Sequence, residues 1–410
     1  MPDNPLAALR SRLADLFRWL RETATGKAGQ DAEKVEAAGK CPPCAGRSER
    51  VADELRARGL PENLVAACMA GPLGPGDVLF VGRSDALDRL AAALDAWRGQ
   101  QPMMVAVTGP QGCGITSLLR QIETALQPGE EVTYRALDAR PYTSQEALAQ
   151  CGAFFGLDVR PDSIEELVGQ INALEPRFIV LDNGHFLACR IMGASEAIRT
   201  VGAVMVATQE RHQWVLGCHL QAWQRLSHAH QADRYFAETI ELKGFDKDEL
   251  GAVIEARFDA AGFALTPPGE APAEGDKRLL PEGRLTALQQ LSRGLPDAAF
   301  FHLLRAIEPG ADGDFALKDF APFDYAALKT LSRAEMFALA EIAVHGTLTS
   351  AEHQALFRMR EQESQMILQR LCGLCLLERF AGADGDARFR LVPVHAQAIA
   401  THLANANYLY

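Results

Sequence analysis

The stretch that most constrains the fold is Val105–Thr116, in which a short apolar run leads into a glycine-rich turn. Four of its residues stand at the spacing of a phosphate-binding loop, G-x-x-x-x-G-K-[ST]: Gly109, Gly112, Gly114 and Thr116. In such a loop, backbone N–H groups converge on phosphate oxygens at the start of a helix. Ile115 occupies the lysine position and cannot supply a positive charge there. The pattern therefore predicts strand, phosphate loop and helix, with one charged group missing.

The composition is that of a globular chain long enough for two or three domains. It has 410 residues, of which 48% are hydrophobic and 23% charged. A net charge of -12 argues against broad nonspecific nucleic-acid binding, although a local basic patch is compatible with it. No apolar run has transmembrane length, and the nine scattered cysteines favour reduced thiols, so we expect a cytoplasmic protein.

The N-terminal region is predicted to contain a helix and a linker. Residues 5–21 place leucines and one phenylalanine at helical spacing with arginines between them. We favour docking of this helix on a protein partner or on the chain itself, and peripheral contact with the inner face of the membrane stays open as the alternative. Residues 22–48 are typical of a linker. Within it, Cys41 and Cys44 form a lone C-x-x-C pair, for which an exposed turn is favoured over metal binding or a redox role.

A second apolar run, Phe178–Asp182, predicts a buried parallel strand that ends in a carboxylate. Because the carboxyl ends of parallel strands meet at one edge of a sheet, Asp182 is expected beside the phosphate loop. Asp182 and the Thr116 hydroxyl would then hold Mg²⁺ if nucleotide binds. The expected nucleotide, ATP or ADP, would lie against the whole loop: Gly109, Pro110, Gln111, Gly112, Cys113, Gly114, Ile115, Thr116 and Ser117.

A further apolar run, Gly202–Thr208, is predicted to be another strand of the same sheet. Its last residue, Thr208, would then lie where a sensor residue meets the γ-phosphate or the attacking water. Downstream, Arg225 and Arg234 are candidates for an arginine finger that reaches a neighbouring subunit's nucleotide. We favour the simpler interpretation, in which both arginines lie on a solvated helix face.

Together these segments resemble AAA+ ATPases of STAND-like or initiator type. The resemblance rests on Val105–Thr116, Phe178–Asp182, Val204–Thr208 and Ile240–Leu250, in that order and spacing. It is greatest to general-secretion A type ATPases, transposition helper ATPases and origin-recognition-like initiators. It implies an α/β P-loop NTPase (AAA+) with a parallel sheet and a helical lid, and it implies a lid motif Ser-x-Gly-x-Pro-Arg, which Ser292–Asp297 matches except at its last residue.

Three positions depart from the pattern that this resemblance implies. Ile115 replaces the lysine, Asn183 replaces the glutamate that polarises water, and Asp297 replaces the arginine that senses nucleotide. An amide can orient water but cannot accept its proton. Each departure removes a charge that would contact or activate a triphosphate, so Asp182, Asn183 and Thr208 are weak candidates for catalysis. The pattern indicates a pseudo-ATPase.

Residues 325–410 are predicted to form three helices followed by a hairpin, and this order resembles a winged-helix domain. Four arginines could contact a DNA backbone: Arg358, Arg360, Arg388 and Arg390. Glu361 and Glu363 on the same helix oppose phosphate binding, so we favour protein contact over DNA contact. Cys372 and Cys375 lie in an apolar run and are expected to be buried thiols.

The sequence therefore predicts four regions: 1–47 with an amphipathic helix and linker, 48–242 with the nucleotide domain, 243–307 with the lid, and 325–410 with the winged helix. The expected function is a regulatory or scaffolding assembly factor that binds nucleotide weakly or not at all, working with a protein partner or as a homo-oligomer. Two alternatives stay open. One is a DNA-associated helper that uses the winged helix, and the other is an active ATPase whose missing groups come from elsewhere.

Overall fold

The computed structural model describes residues 40–46, 48–157, 161–188, 190–191, 194–265, 280–309, 315–382 and 385–409. The expected amphipathic helix at 5–21 lies outside these residues. None of the helices in the described ranges is long and apolar enough to cross a membrane.

A five-stranded parallel sheet forms the centre of the first half of the chain. Its strands are β1 (Val105–Gly109), β2 (Val132–Ala136), β3 (Phe178–Asp182), β4 (Gln213–His219) and β5 (Glu238–Glu241). They lie in the order β2-β3-β4-β1-β5, and every neighbouring pair is parallel. The expected strands that contain the phosphate loop and Asp182 are confirmed, and they flank β4.

Helices cover both faces of this sheet. They are α3 (Ser84–Arg98), α4 (Ile115–Gln121), α5 (Ser144–Phe154), α6 (Ile164–Asn172), α7 (Ala194–Thr208) and α8 (Leu220–His230), whereas the two helices that come first, α1 (Ser48–Ala57) and α2 (Glu62–Cys68), pack away from the sheet. Successive side chains along each strand point to opposite faces of the sheet. Val105 and Val107 pack in one core cluster with α3 and α4, whereas Ala106 packs in the other with α5, α7 and α8.

The prediction of a strand at Gly202–Thr208 is wrong. These residues are the second half of α7, whose buried residues include Ala194, Ala197, Val201, Val204, Met205 and Thr208. That spacing of three and four residues places one face of a helix on the sheet. The strand that fills the expected place is β4, which lies between β1 and β3.

A helical lid follows β5. It contains α9 (Lys247–Ala261), α10 (Glu282–Ser292) and α11 (Pro296–Ala306), and then a short hairpin of β6 (Ile307–Pro309) and β7 (Phe315–Leu317). At the start of α9, the Asp246 carboxylate accepts the Glu249 N–H as part of a capping box. The lid helices share one apolar core with α1 and α2.

The C-terminal region has helices α12 (Arg333–His345), α13 (Ser350–Phe357), α14 (Glu361–Gly373) and α15 (Pro393–Asn405). Three short strands, β8 (Thr347–Thr349), β9 (Leu377–Ala381) and β10 (Ala387–Leu391), form an antiparallel sheet in the order β8-β10-β9. The expected helices and hairpin are present. The terminal helix α15, which the sequence analysis did not predict, packs on α11 and α12.

A disulfide joins the first described residues to the C-terminal region. Cys44 pairs with Cys375, with their Cα atoms 4.9 Å apart. The expectation of reduced thiols is therefore wrong for this pair, and Cys375 is not a plain core thiol. The two C-x-x-C sequences, Cys41–Cys44 and Cys372–Cys375, meet here although 331 residues separate the bonded cysteines.

Candidate nucleotide site

The phosphate loop has the conformation that its glycines predict. Gly112 and Gly114 have φ angles of 84° and 96°, values that favour glycine because a side chain would clash. α4 begins directly after Gly114, at Ile115, so the loop presents the start of a helix. A cavity of about 440 Å³ lies over the loop and extends towards α2, α9 and α11. Glycines with positive φ directly before a helix are typical of a loop that binds phosphate.

Ile115 contributes no charge to this cavity and is 93% buried, at 7% exposure. It belongs to the core between α4 and the sheet, and it can approach β4 because residue 217 is glycine. A Cβ atom on Gly217 would lie 3.1 Å from the Ile115 Cγ2 and 3.0 Å from the Asp182 Oδ1. The neighbouring Cys113 also lacks charge, because burial raises the pKa of its thiol to about 12.

Asp182 lies at the end of β3, as predicted, and both of its carboxylate oxygens accept hydrogen bonds. The Tyr134 hydroxyl donates to Oδ2 at 2.6 Å, and the Asn183 N–H donates to Oδ1 at 2.7 Å. The Asn183 side-chain amide donates to the Leu137 carbonyl at 3.1 Å, so its nitrogen is engaged with the loop after β2. Among the described residues, no cluster of three His, Cys, Asp or Glu side chains could hold a metal ion.

Thr208 does not lie in the site, which corrects its predicted sensor role. It is fully buried at the end of α7, where its hydroxyl donates to the Val204 carbonyl and accepts the Trp214 indole N–H. His219, at the end of β4, lines the cavity instead. The apolar run from Trp214 to Cys218 is the sequence signal that could have identified this strand.

The His219 ring stacks on His185, which follows β3. Their centroids lie 4.1 Å apart and their planes differ by 5°. Burial lowers the pKa of His219 to about 4 and lowers that of His185 well below its usual range, so both rings are neutral at pH 7. His185 packs in turn against Gly346 of the C-terminal region, where a Cβ atom would meet its ring. A continuous contact thus runs from the cavity to the turn between α12 and β8.

The lid motif brings Asp297 to the phosphate loop. A Cβ atom on Gly112 would lie 3.1 Å from the Asp297 Oδ2. Arg293, the one arginine within this motif, points elsewhere, because its guanidinium donates to the Thr401 hydroxyl on α15. Burial raises the pKa of the Asp297 carboxyl to about 6, while the residue as a whole keeps accessible surface at the cavity that it lines.

Arg83 is a positive group at this site that the sequence analysis did not identify. Its guanidinium donates to the carbonyls of Cys113 at 2.9 Å and Lys243 at 2.6 Å, and lies 3.9 Å from the Phe245 ring centroid. Arg257 on α9 also lines the cavity. In the sequence, Arg83 is marked only by its place just before the helix α3. In the structure, its backbone there is left-handed.

The arginines predicted to act outside the cavity have different surroundings. Arg225 lies 3.7 Å from the Glu341 carboxylate of α12, whereas Arg234 is exposed. Of the four predicted DNA contacts, Arg358 and Arg360 are exposed at the start of α14. Arg390 pairs with Glu378 at 2.7 Å. Arg388 is buried, with its guanidinium 5.9 Å from the Phe186 ring centroid, so it lacks the exposed surface that the predicted contact with a DNA backbone needs.

Comparison with known proteins gives matches among solved structures alone, since no family model and no curated protein matches the chain. The ORC2 protein of Aeropyrum pernix, in ADPNP–ADP complexes, is 15% identical over 83% of this chain and 96% of its own, with a TM-score of 0.44. A Walker-type ATPase of Pyrococcus abyssi is 14% identical over 81% and 99%, with a TM-score of 0.43. Cdc6p of Pyrobaculum aerophilum is 14% identical over 83% and 98%, with a TM-score of 0.42.

The assignment of the fold rests on the chain's own topology and on its loop. A glycine-rich loop connects β1 to α4, a carboxylate ends the strand two places away in the sheet, and a helical lid follows the edge strand β5. The described chain has an α/β P-loop NTPase fold, with the parallel sheet and helical lid of the AAA+ type.

Proposed function

We propose that this chain is a regulatory or scaffolding assembly factor whose nucleotide site binds ATP or ADP weakly and does not hydrolyse it. One observation carries the proposal: the three positions that would hold activating charges are Ile115, Asn183 and Asp297, and two of them, Ile115 and Asp297, line the cavity over the phosphate loop. Removing one oriented catalytic group typically costs about 3–4 kcal/mol of barrier stabilisation, so three losses in one site leave little turnover.

The contact between the site and the C-terminal region supports a regulatory role. His219 and His185 connect the cavity to Gly346, and the Arg140 guanidinium donates to the Thr347 carbonyl at 2.6 Å. The order helix, strand, helix, helix, strand, strand in α12–β10 supports a winged-helix domain here. Occupancy of the cavity could then alter how this domain presents itself to a protein partner or to another copy of the chain.

The test is calorimetric titration of ATP and ADP with Mg²⁺ into wild type and Ile115→Lys, together with phosphate release. We expect a wild-type dissociation constant of tens of micromolar or weaker, tighter binding by Ile115→Lys, and no phosphate release above background. Rapid turnover by wild type would contradict the proposal. Absence of binding by both proteins would show that the cavity is not a nucleotide site.

Related measurements test two other functions. Arg83 and Arg257 line the cavity and could replace the missing lysine, which favours an active ATPase. Turnover that is lost in both Arg83→Gln and Asp182→Ala would support that function. Exposed Arg358 and Arg360 favour a DNA-associated helper. Salt-dependent DNA binding that weakens in the double variant Arg358→Ala, Arg360→Ala would support it.

A further inference from the structure

Asp297 is held at the phosphate loop by the backbone that precedes it. Gly294 has a φ angle of 70°, and a Cβ atom there would lie 2.0 Å from the Phe245 carbonyl oxygen. The Phe245 N–H donates to the Gly294 carbonyl at 2.8 Å, which ties the lid motif to the segment that leaves β5. Leu295 is buried in the same core cluster as Ile115. The start of α11 therefore cannot withdraw from the loop without breaking these contacts.

The carboxylate lies where phosphate oxygens would approach the loop. Asp297 is the second residue of α11 and lines the cavity together with Gly112. A Cβ atom built on Gly112 would lie only 3.1 Å from the Asp297 Oδ2. The residue is solvent-accessible inside the cavity, so a ligand can reach it. Two anions this close repel each other strongly at the low effective dielectric of a protein cleft.

Neighbouring groups do not neutralise Asp297. No ion pair joins it to an arginine, lysine or histidine in the described part of the chain. The titratable and charged groups that line the two cavities beside Asp297 are Cys68, Arg83, Cys113, His219, Arg257, Arg293, His302, Tyr325, Lys329 and His402. Arg257 donates to the Leu79 carbonyl. Burial keeps the Cys113 thiol and the His219 and His302 rings uncharged at pH 7, with pKa values of about 12, 4 and 4. Arg83 and Arg293 donate hydrogen bonds to other groups.

We propose that Asp297 is a specificity residue that makes this site select against long phosphate chains, so that nucleosides and monophosphates bind ahead of triphosphates. This inference rests on the proposed nucleotide site. Each added phosphate brings more negative charge towards the carboxylate. The affinity of the site should therefore fall, and not rise, as the number of phosphates increases. Protonation of Asp297 removes the repulsion. Because the pKa of Asp297 is raised to about 6, selection against phosphate should weaken as pH falls below 6.

The experiment titrates adenosine, AMP, ADP and ATP, each with Mg²⁺, into wild type and Asp297→Asn at pH 7.5 and 5.5. Asparagine keeps the shape of the side chain and removes the charge. We expect Asp297→Asn to raise ATP affinity at least about tenfold at pH 7.5, and to change adenosine affinity less than about twofold. The ratio of the ATP affinity of Asp297→Asn to that of wild type should shrink at pH 5.5. Protonation of ATP itself affects both proteins equally and cancels in this ratio.

Asp259→Asn is the matched control, since it removes the same charge from an exposed residue of the lid helix α9. It should leave all four affinities unchanged. Equal ATP affinities for wild type and Asp297→Asn would overturn this inference and leave the nucleotide site in place. If no adenine compound binds wild type, Asp297→Asn or Ile115→Lys at either pH, both the nucleotide site and the selection by Asp297 are refuted.

Discussion

At the scale of single residues, the carboxylate of Asp182 contributes to the structure of the sheet. It is 97% buried, at 3% exposure, and Tyr134 donates a short hydrogen bond to it. Burial and the Asp182 charge both raise the pKa of the Tyr134 hydroxyl, so it remains a donor. A carboxylate in this position can still polarise a water molecule. Its hydrogen bonds, however, also stabilise the neighbouring strands β2 and β3.

This role predicts that Tyr134→Phe destabilises the protein. The substitution removes the 2.6 Å hydrogen bond and leaves a buried carboxylate oxygen without that donor. We expect the free energy of unfolding to fall by about 1–3 kcal/mol, measured by urea denaturation followed by circular dichroism. Tyr235→Phe is the control, because that side chain is 52% exposed, and it should change stability by less than about 0.5 kcal/mol. Equal effects would show that the Asp182 contact contributes nothing.

At the scale of elements, the sequence predicted the phosphate loop, the strand that ends in Asp182 and the C-terminal helices. Each of these has a strong local signal, such as glycine spacing or an apolar run with a polar end. The assignment of a strand at Gly202–Thr208 failed because a short apolar run fits a buried strand and a buried helix equally well. As a result Thr208, and not His219, was expected at the end of the strand beside β1.

Contacts between distant segments could not be predicted from local patterns. The stacking of His185 on His219 and the approach of Asp297 to Gly112 depend on how loops from separate elements meet. The sequence showed that Asp297 replaces an arginine, but not whether its side chain points towards the loop. The same holds for the Cys44–Cys375 disulfide, since spacing cannot identify a partner 331 residues away.

The junction between the sheet and the lid offers a prediction at this scale. Gly294→Ala should destabilise the lid, because alanine disfavours a φ angle of 70° and its Cβ would lie 2.0 Å from the Phe245 carbonyl oxygen. The left-handed backbone alone costs about 1–2 kcal/mol, so we expect a loss above that amount in urea denaturation. Gly283→Ala, in helix α10 with open space around it, should be neutral or stabilising. A loss at Gly283 that matched the loss at Gly294 would contradict this account.

At the scale of the whole molecule, a buried ion pair joins the C-terminal region to the α/β domain. The Arg140 guanidinium, 1% exposed, pairs with the Glu352 carboxylate of α13 at 2.6 Å. It also donates to the carbonyls of His345 and Thr347, and Tyr142 donates to the same carboxylate at 2.7 Å. With the disulfide on the other side of the region, these contacts set the position of the C-terminal helices relative to the sheet.

This arrangement predicts that Arg140→Met is strongly destabilising. The substitution keeps an apolar stem of similar length but leaves Glu352 buried without its charge partner, a change that typically costs about 3–5 kcal/mol. The double variant Arg140→Met, Glu352→Gln should recover part of the loss, because glutamine carries no charge and can still accept the Thr349 N–H that caps α13. A double variant no more stable than the single one would show that the charge of Glu352 is not the cause.

The same pair gives a dependence on pH with a definite sign. Burial raises the pKa of Glu352, but the Arg140 charge and the hydrogen bonds outweigh it and hold this pKa below its usual range. A carboxyl with a lowered pKa in the folded state stabilises the protein above its unfolded pKa, about 4.3, and loses that contribution as pH falls. The difference in urea midpoint between wild type and Arg140→Met should therefore be largest at pH 7 and shrink at pH 4. Arg140 also lowers the pKa of His185 and His345, so these two histidines contribute to the difference as well. The same comparison between Glu352→Gln and the double variant gives the histidine contribution alone. A constant difference across that range would mean that Arg140 acts through its backbone carbonyl contacts and not through Glu352.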